Sequence, residues 1–149
     1  MEKRRTKREI AEIRKLYGVA QDLGITIFLV DEDNEMLEGS GGIYLAPDEI
    51  YVPTEQTASE LILSLAHELG HAISELRGEI PDEFHDIYEL AYPEQEGDEA
   101  DEQDKEIIRF IEARAVYHAN KLLDKLQVKV SKSRRDIDNL YTMLSLESI

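Results

Sequence analysis

Cysteine is missing altogether from the 149 residues. Its absence excludes disulfides and thiolate metal ligands, and it suits a reducing cytoplasm. Long apolar runs are missing too, since no stretch approaches the roughly 20 apolar residues that span a bilayer. The opening MEKRRTKREI is basic but leads into a charged amphipathic helix, where a secretory signal would carry an apolar core. A cytoplasmic location away from membranes is therefore expected. Cations are scarce beyond the start. Residues 1–15 hold 7 of the 17 Lys and Arg, which leaves 10 against 30 Asp and Glu in the other 134 residues. Such a body repels phosphate backbones, so no direct nucleic-acid binding is expected. The basic start reads as a solvated helix face.

What is present describes one α+β domain over residues 1–149. The hydrophobic fraction of 42% and the chain length fit a soluble domain with a real core. No repeat or linker divides it. Ile10, Ile13, Tyr17, Ala20 and Leu23 recur at helical spacing, predicting a basic N-terminal helix over about 5–23 that Gly24 ends. Ile25 to Val30 is a short β-rich run. Two further strands are expected around Ile43–Leu45 and Ile50–Val52, turned by Pro47-Asp48, giving a small, mostly antiparallel sheet. A helix that Thr57 or a neighbour can cap, with Glu60 three residues after Thr57 completing a capping box, carries the apolar stripe Ala58, Leu61, Ile62, Leu65, Leu69, Ala72, Ile73 and Leu76, and Gly78 closes it. The acidic tract 93–106 holds Ala100 as its one apolar residue and is expected to be a mobile, non-catalytic segment. A long helix over about 104–127 and a C-terminal helix over about 134–147 complete the chain.

The chemistry sits in the middle of the second of these helices. His67-Glu68-Leu69-Gly70-His71 is an HExxH motif, and histidines four apart on a helix project from one face about 6 Å apart, as two imidazoles on one Zn²⁺ require. Glu68, on the flank of that face, can move a proton between an attacking water and a leaving amine. Given four His and 21 Glu in the chain, chance would produce the pattern at about 1–2%. The histidines lie nearly opposite the Leu61/Leu65/Leu69/Leu76 stripe, so they face a second layer or a cleft, and Gly70 beside them would let another backbone approach closely.

A catalytic zinc takes three protein ligands. No histidine follows at HExxHxxGxxH spacing, so the third comes from elsewhere, and Glu112 is the expected ligand. It lies at the edge of the inward stripe Ile108, Ile111, Ala115, Ala119, Leu122 and Leu126 of the long helix, where an ionised carboxylate is costly without a cation. Glu106 falls on the solvated side. Glu75 lies about 12 Å along the axis from His67 and reads as a solvated carboxylate. His85 reads as a surface residue and His118 as a hydrogen-bonded core histidine. Tyr44 and Tyr51 are both candidates to donate to an oxyanion, and the strand around Ile50–Val52 is a candidate to pair with substrate backbone.

These segments resemble the ImmA/IrrE family of small zinc metallopeptidases. The similarity lies in GGIYLAPDEIYVP, in SLAHELGHAIS and in IEARAVYHANKLL with its Glu112-Ala113 pair, and it spans about residues 25–125. Arg114 and Val116-Tyr117 depart from the usual family continuation. The resemblance implies a compact zincin-like fold, a glutamate as third zinc ligand and water-mediated hydrolysis of a peptide bond. It also implies a specific intracellular protein substrate, such as a helix-turn-helix regulator. The alternative is a zinc-stabilised, non-proteolytic binding or regulatory protein; the presence of Glu68 favours the enzyme. Oligomeric state has no signature in these residues.

Overall fold

The first helix begins where a threonine can cap it. Thr6 Oγ1 accepts the Glu9 N–H at 3.1 Å, and Glu9 Oε1 accepts the Thr6 N–H at 2.7 Å, so two N–H groups with no partner inside the helix are satisfied together. Helix α1 then runs Lys7–Asp22 and buries Ile13, Leu16 and Ala20. It stops at Gly24, whose φ of +74° suits glycine. The computed structural model describes residues 5–37, 41–84 and 102–128. His85, residues 93–101 of the acidic tract and the expected C-terminal helix at 134–147 lie outside them.

Strand β1 (Thr26–Val30) follows, then a 3₁₀ turn at Glu35–Leu37, β2 (Ile43–Leu45) and β3 (Glu49–Pro53). The sheet order is β1-β3-β2. β2 and β3 form the expected antiparallel hairpin, but β1 pairs parallel with β3 over five residues, so the sheet is mixed and not mostly antiparallel. The cause is the path of the chain. It leaves β1, crosses to the far side to lay down β2, and turns back through Pro47-Asp48, so β3 fills the centre in the direction of β1. Thr26 N–H to the Asp48 carbonyl (2.9 Å) and Thr54 N–H to the Val30 carbonyl (2.8 Å) clamp the two ends of that parallel pair. As the centre strand, β3 has no free edge, which removes Ile50–Val52 as a place for a peptide to pair; β2 is the edge beside the HExxH helix.

β3 alternates. Ile50 and Val52 are fully buried toward the helices, and Tyr51 stacks on Phe28 on the opposite face, with ring centroids 4.8 Å apart. Helix α2 (Ala58–Leu76) is capped by Thr57, which accepts the Glu60 N–H at 3.2 Å. Its Leu61, Leu65 and Leu69 are buried with Ile50, Val52 and Leu16 in one core. Leu76, expected in the same stripe, is 60% exposed, because it lies in the last turn, past Ala72, where that buried stripe ends. Helix α3 (Glu102–Leu126) adds Ala119, Leu122 and Leu123 to the core. It takes up residues 102–106, which the sequence assigned to the acidic tract; acidic residues at a helix start suit the positive end of the macrodipole. Among the described residues no helix is long and apolar enough to cross a membrane.

Candidate metal centre

Helix α2 lies between β2 and α3, and its own periodicity distributes the contacts. At about 100° per residue, Glu68, Glu75, Ser64, His71, His67 and Gly70 succeed one another over about 160° of its circumference. The β2 side covers the first of these. A Cβ built at Gly42 would sit 3.3 Å from Glu68 Oε2, and one built at Gly41 3.8 Å from Ser64 Oγ. α3 covers the last. A Cβ at Gly70 would overlap the backbone carbonyl of Ala115, so only glycine lets α3 come this close. The two histidines are the floor left between these walls.

The α3 contact at Gly70 delivers Glu112. Flanked on its helix by Ile108, Ile111 and Ala115, all buried, Glu112 is itself 3% exposed. Its Oε2 lies 2.8 Å from His67 Nε2 and 3.4 Å from His71 Nε2. The two imidazoles stand edge to face, with ring centroids 4.9 Å apart. One ligand atom from each of His67, His71 and Glu112 lies within 4.8 Å of the others, so the structure brings together the three residues read as ligands and they can hold a metal ion. Tetrahedral bonds of about 2.1 Å put neighbouring ligand atoms about 3.4 Å apart. The His71–Glu112 separation already matches this, and the His67–Glu112 pair must open by about half an ångström. Two neutral-capable imidazoles and one carboxylate are a donor set that suits Zn²⁺.

Glu68 is also buried, at 7% exposed, but its surroundings treat it differently. Burial pushes its pKa up, and Glu112 adds to that, against the opposing pull of His67, His71 and a hydrogen bond from the Tyr44 backbone N–H. Burial also works against ionisation of Glu112, yet His71 and His67 outweigh it and hold Glu112 well below the usual carboxylate range. Two carboxylates on neighbouring helices are thus driven apart: one is held as an anion suited to ligation, the other is pushed toward protonation. No protein-family model, curated protein or solved structure matches this chain. Its chemistry is read from this geometry.

Other expectations resolve individually. Glu106 is exposed, as its place on the helix implied. Glu75 is half-buried instead of solvated, because β2 brings Tyr44 over it; the Tyr44 hydroxyl donates to the Pro47 carbonyl at 3.0 Å and lies within hydrogen-bond reach of the Glu75 carboxylate. Burial first, and Glu75 next, push that hydroxyl's pKa up. Tyr51 is on the far face of the sheet, with its hydroxyl on Glu49 Oε1 at 3.3 Å, and so is removed from consideration as an oxyanion donor. His118 is a buried, hydrogen-bonded histidine, its Nε2 2.8 Å from Glu79 Oε1. The same carboxylate receives Nε and Nη2 of Arg114, each at 3.0 Å. Sequence reasoning did not find Glu79 or the Tyr44 N–H. For Glu79 no periodic signal exists; for the second, the Gly41-Gly42 pair was the clue, since bare backbone there lets β2 settle on Glu68.

Proposed function

We propose that the chain is a zinc-dependent endopeptidase that hydrolyses a peptide bond in a specific intracellular protein. One observation carries the reading: beside a donor set suited to zinc lies a second buried carboxylate, Glu68, that is not needed to hold the ion and whose environment raises its basicity. A purely structural zinc site would gain nothing from burying that group.

Zinc, when bound, supplies Lewis acidity that lowers the pKa of water and polarises a carbonyl. The remaining work belongs to the chain. His67, His71 and Glu112 hold the ion. Glu68 takes the proton from the attacking water and returns it to the departing amine, a role its burial favours by opposing a permanent charge there. The Tyr44 N–H steadies the carboxylate. The outer edge of β2, unpaired among the described residues, offers backbone groups beside α2, where an extended peptide can pair as a further strand. A helix-turn-helix regulator, the substrate class implied by the ImmA/IrrE resemblance, is the first protein to test, and its basic surface suits the acidic body.

The experiment compares wild type with Glu68→Gln, both zinc-loaded, on helix-turn-helix regulators in native and denatured form, with products mapped by mass spectrometry. Hydrolysis that Glu68→Gln loses at least about 100-fold while retaining one zinc per chain supports the reading. Equal hydrolysis by both, or by neither, removes it.

A further inference from the structure

Resting on the peptidase reading, we infer that Glu75 selects a lysine or arginine side chain in the bound peptide, two to three residues from the bond hydrolysed beside Glu68. β2 is the strand edge beside the histidine floor, because β3 is paired on both sides. The segment that enters β2 and β2 itself run along α2 in order: Gly41 against Ser64, Gly42 against Glu68, and the Tyr44 side chain against Glu75. A peptide paired on the outer edge of β2 follows the same line. Side chains alternate between the faces of a sheet, so every second residue of that peptide points toward α2, the side to which Tyr44 points. From Glu68 to Glu75 is about 10 Å along the helix axis, about three residues of extended chain at about 3.4 Å each. An inward side chain two residues from the scissile bond therefore passes Glu75, and a lysine or arginine stem spans the remainder.

Glu75 is equipped to receive it. The carboxylate is half-buried, one turn beyond His71 on the metal-binding side of α2. Its neighbour is a hydroxyl, and among the described residues it has no cationic partner. Arg114, on α3, is already held by Glu79 through two 3.0 Å bonds. A partly desolvated carboxylate facing a peptide path gains most from a charged donor on the peptide, and the acidic body favours the approach of such peptides.

The test separates recognition from catalysis by measuring binding. Fluorescein-labelled ten-residue peptides of threonine and alanine carry one lysine, one glutamate or one norleucine, moved through every position. They are titrated by anisotropy into the zinc-loaded Glu68→Gln protein, which binds without turnover. One position should favour lysine over norleucine about fivefold, the equivalent of about 1 kcal/mol, and disfavour glutamate. Glu75→Gln in the same background should bring the ratio to one, and Glu75→Lys should invert it in favour of glutamate. A lysine preference below about twofold at every position, one that survives Glu75→Gln, or no binding of any peptide overturns the inference. Wild-type cleavage of the same peptides reports on the other reading. Lysine selectivity without cleavage refutes the peptidase and keeps the recognition, and cleavage without selectivity does the reverse.

Discussion

Replacing Gly70 by alanine tests whether the approach of α3 to α2 builds the site. Two effects oppose each other. In a helix interior alanine is favoured over glycine by about 1 kcal/mol, so by propensity Gly70→Ala should stabilise α2. But the new Cβ overlaps the Ala115 carbonyl, which is backbone and cannot rotate aside. Relief requires the helices to separate by about 1 Å, and over-packing of that kind costs about 1–3 kcal/mol or more in a close-packed interior. Because the obstacle is backbone, the clash should win, giving a net loss of up to about 2 kcal/mol in urea unfolding of the metal-free protein. The consequence for the site is larger. Glu112 lies on α3 three residues before Ala115, and metal-ligand distances tolerate only about 0.2 Å. A 1 Å displacement should weaken zinc binding at least about tenfold, measured by competition with a chromophoric chelator. A Gly70→Ala protein as stable as wild type, with unchanged zinc affinity, would refute the reasoning.

Three further outcomes follow from single groups. Glu112→Gln should lower zinc affinity by at least about tenfold while Glu75→Gln and Glu106→Gln leave it within about twofold, since of these three Glu112 is the one that touches both imidazoles; equal losses in all three, by the same competition assay, would remove Glu112 as a ligand. Ser74→Ala should leave stability unchanged or raise it by up to about 1 kcal/mol, because the Ser74 hydroxyl is buried at 1% exposure without a hydrogen-bond partner among the described residues; a loss above about 1 kcal/mol in urea unfolding would mean that the hydroxyl is bonded. Glu79 is held down to about 2, first by its hydrogen bonds from Arg114 and then by His118. A carboxylate with a depressed folded pKa contributes stability that is complete above its ordinary value and lost as pH falls toward the folded one. The stability advantage of wild type over Glu79→Gln should therefore be flat above about pH 5 and shrink between about pH 4.5 and 2; a difference independent of pH across that window would show that the carboxylate is not held as described.

How far the sequence could be read depends on whether a feature repeats along one element or arises between elements. His67, Glu68 and His71 were legible because one helical period places them, and Gly70 because a residue without a side chain beside two candidate ligands is a request for close backbone approach. Glu112 was legible for a different reason: an acid at the edge of a stripe of isoleucine and alanine breaks the pattern around it and needs a cation to justify burial. The sheet order was not legible. The apolar run at β1 is compatible with a neighbour on either side and in either direction, and only the return path through β2 makes the β1–β3 pair parallel. Glu79 was hidden among 33 acidic residues in a short connection without periodicity; it becomes distinctive once Arg114 and His118, four residues apart on α3, converge on it. The setting of Glu68 was hidden most deeply, because the donor is a backbone N–H of Tyr44 and every residue but proline has one. What separates the two carboxylates of the site, one an anion and one pushed toward protonation, is thus a product of packing: the same side chain acquires its role from whether the imidazoles, hydrogen-bonded to Glu112, outweigh its burial. Sequence supplied the candidates, and the crossing of α2 by α3 on one side and β2 on the other assigns their charges.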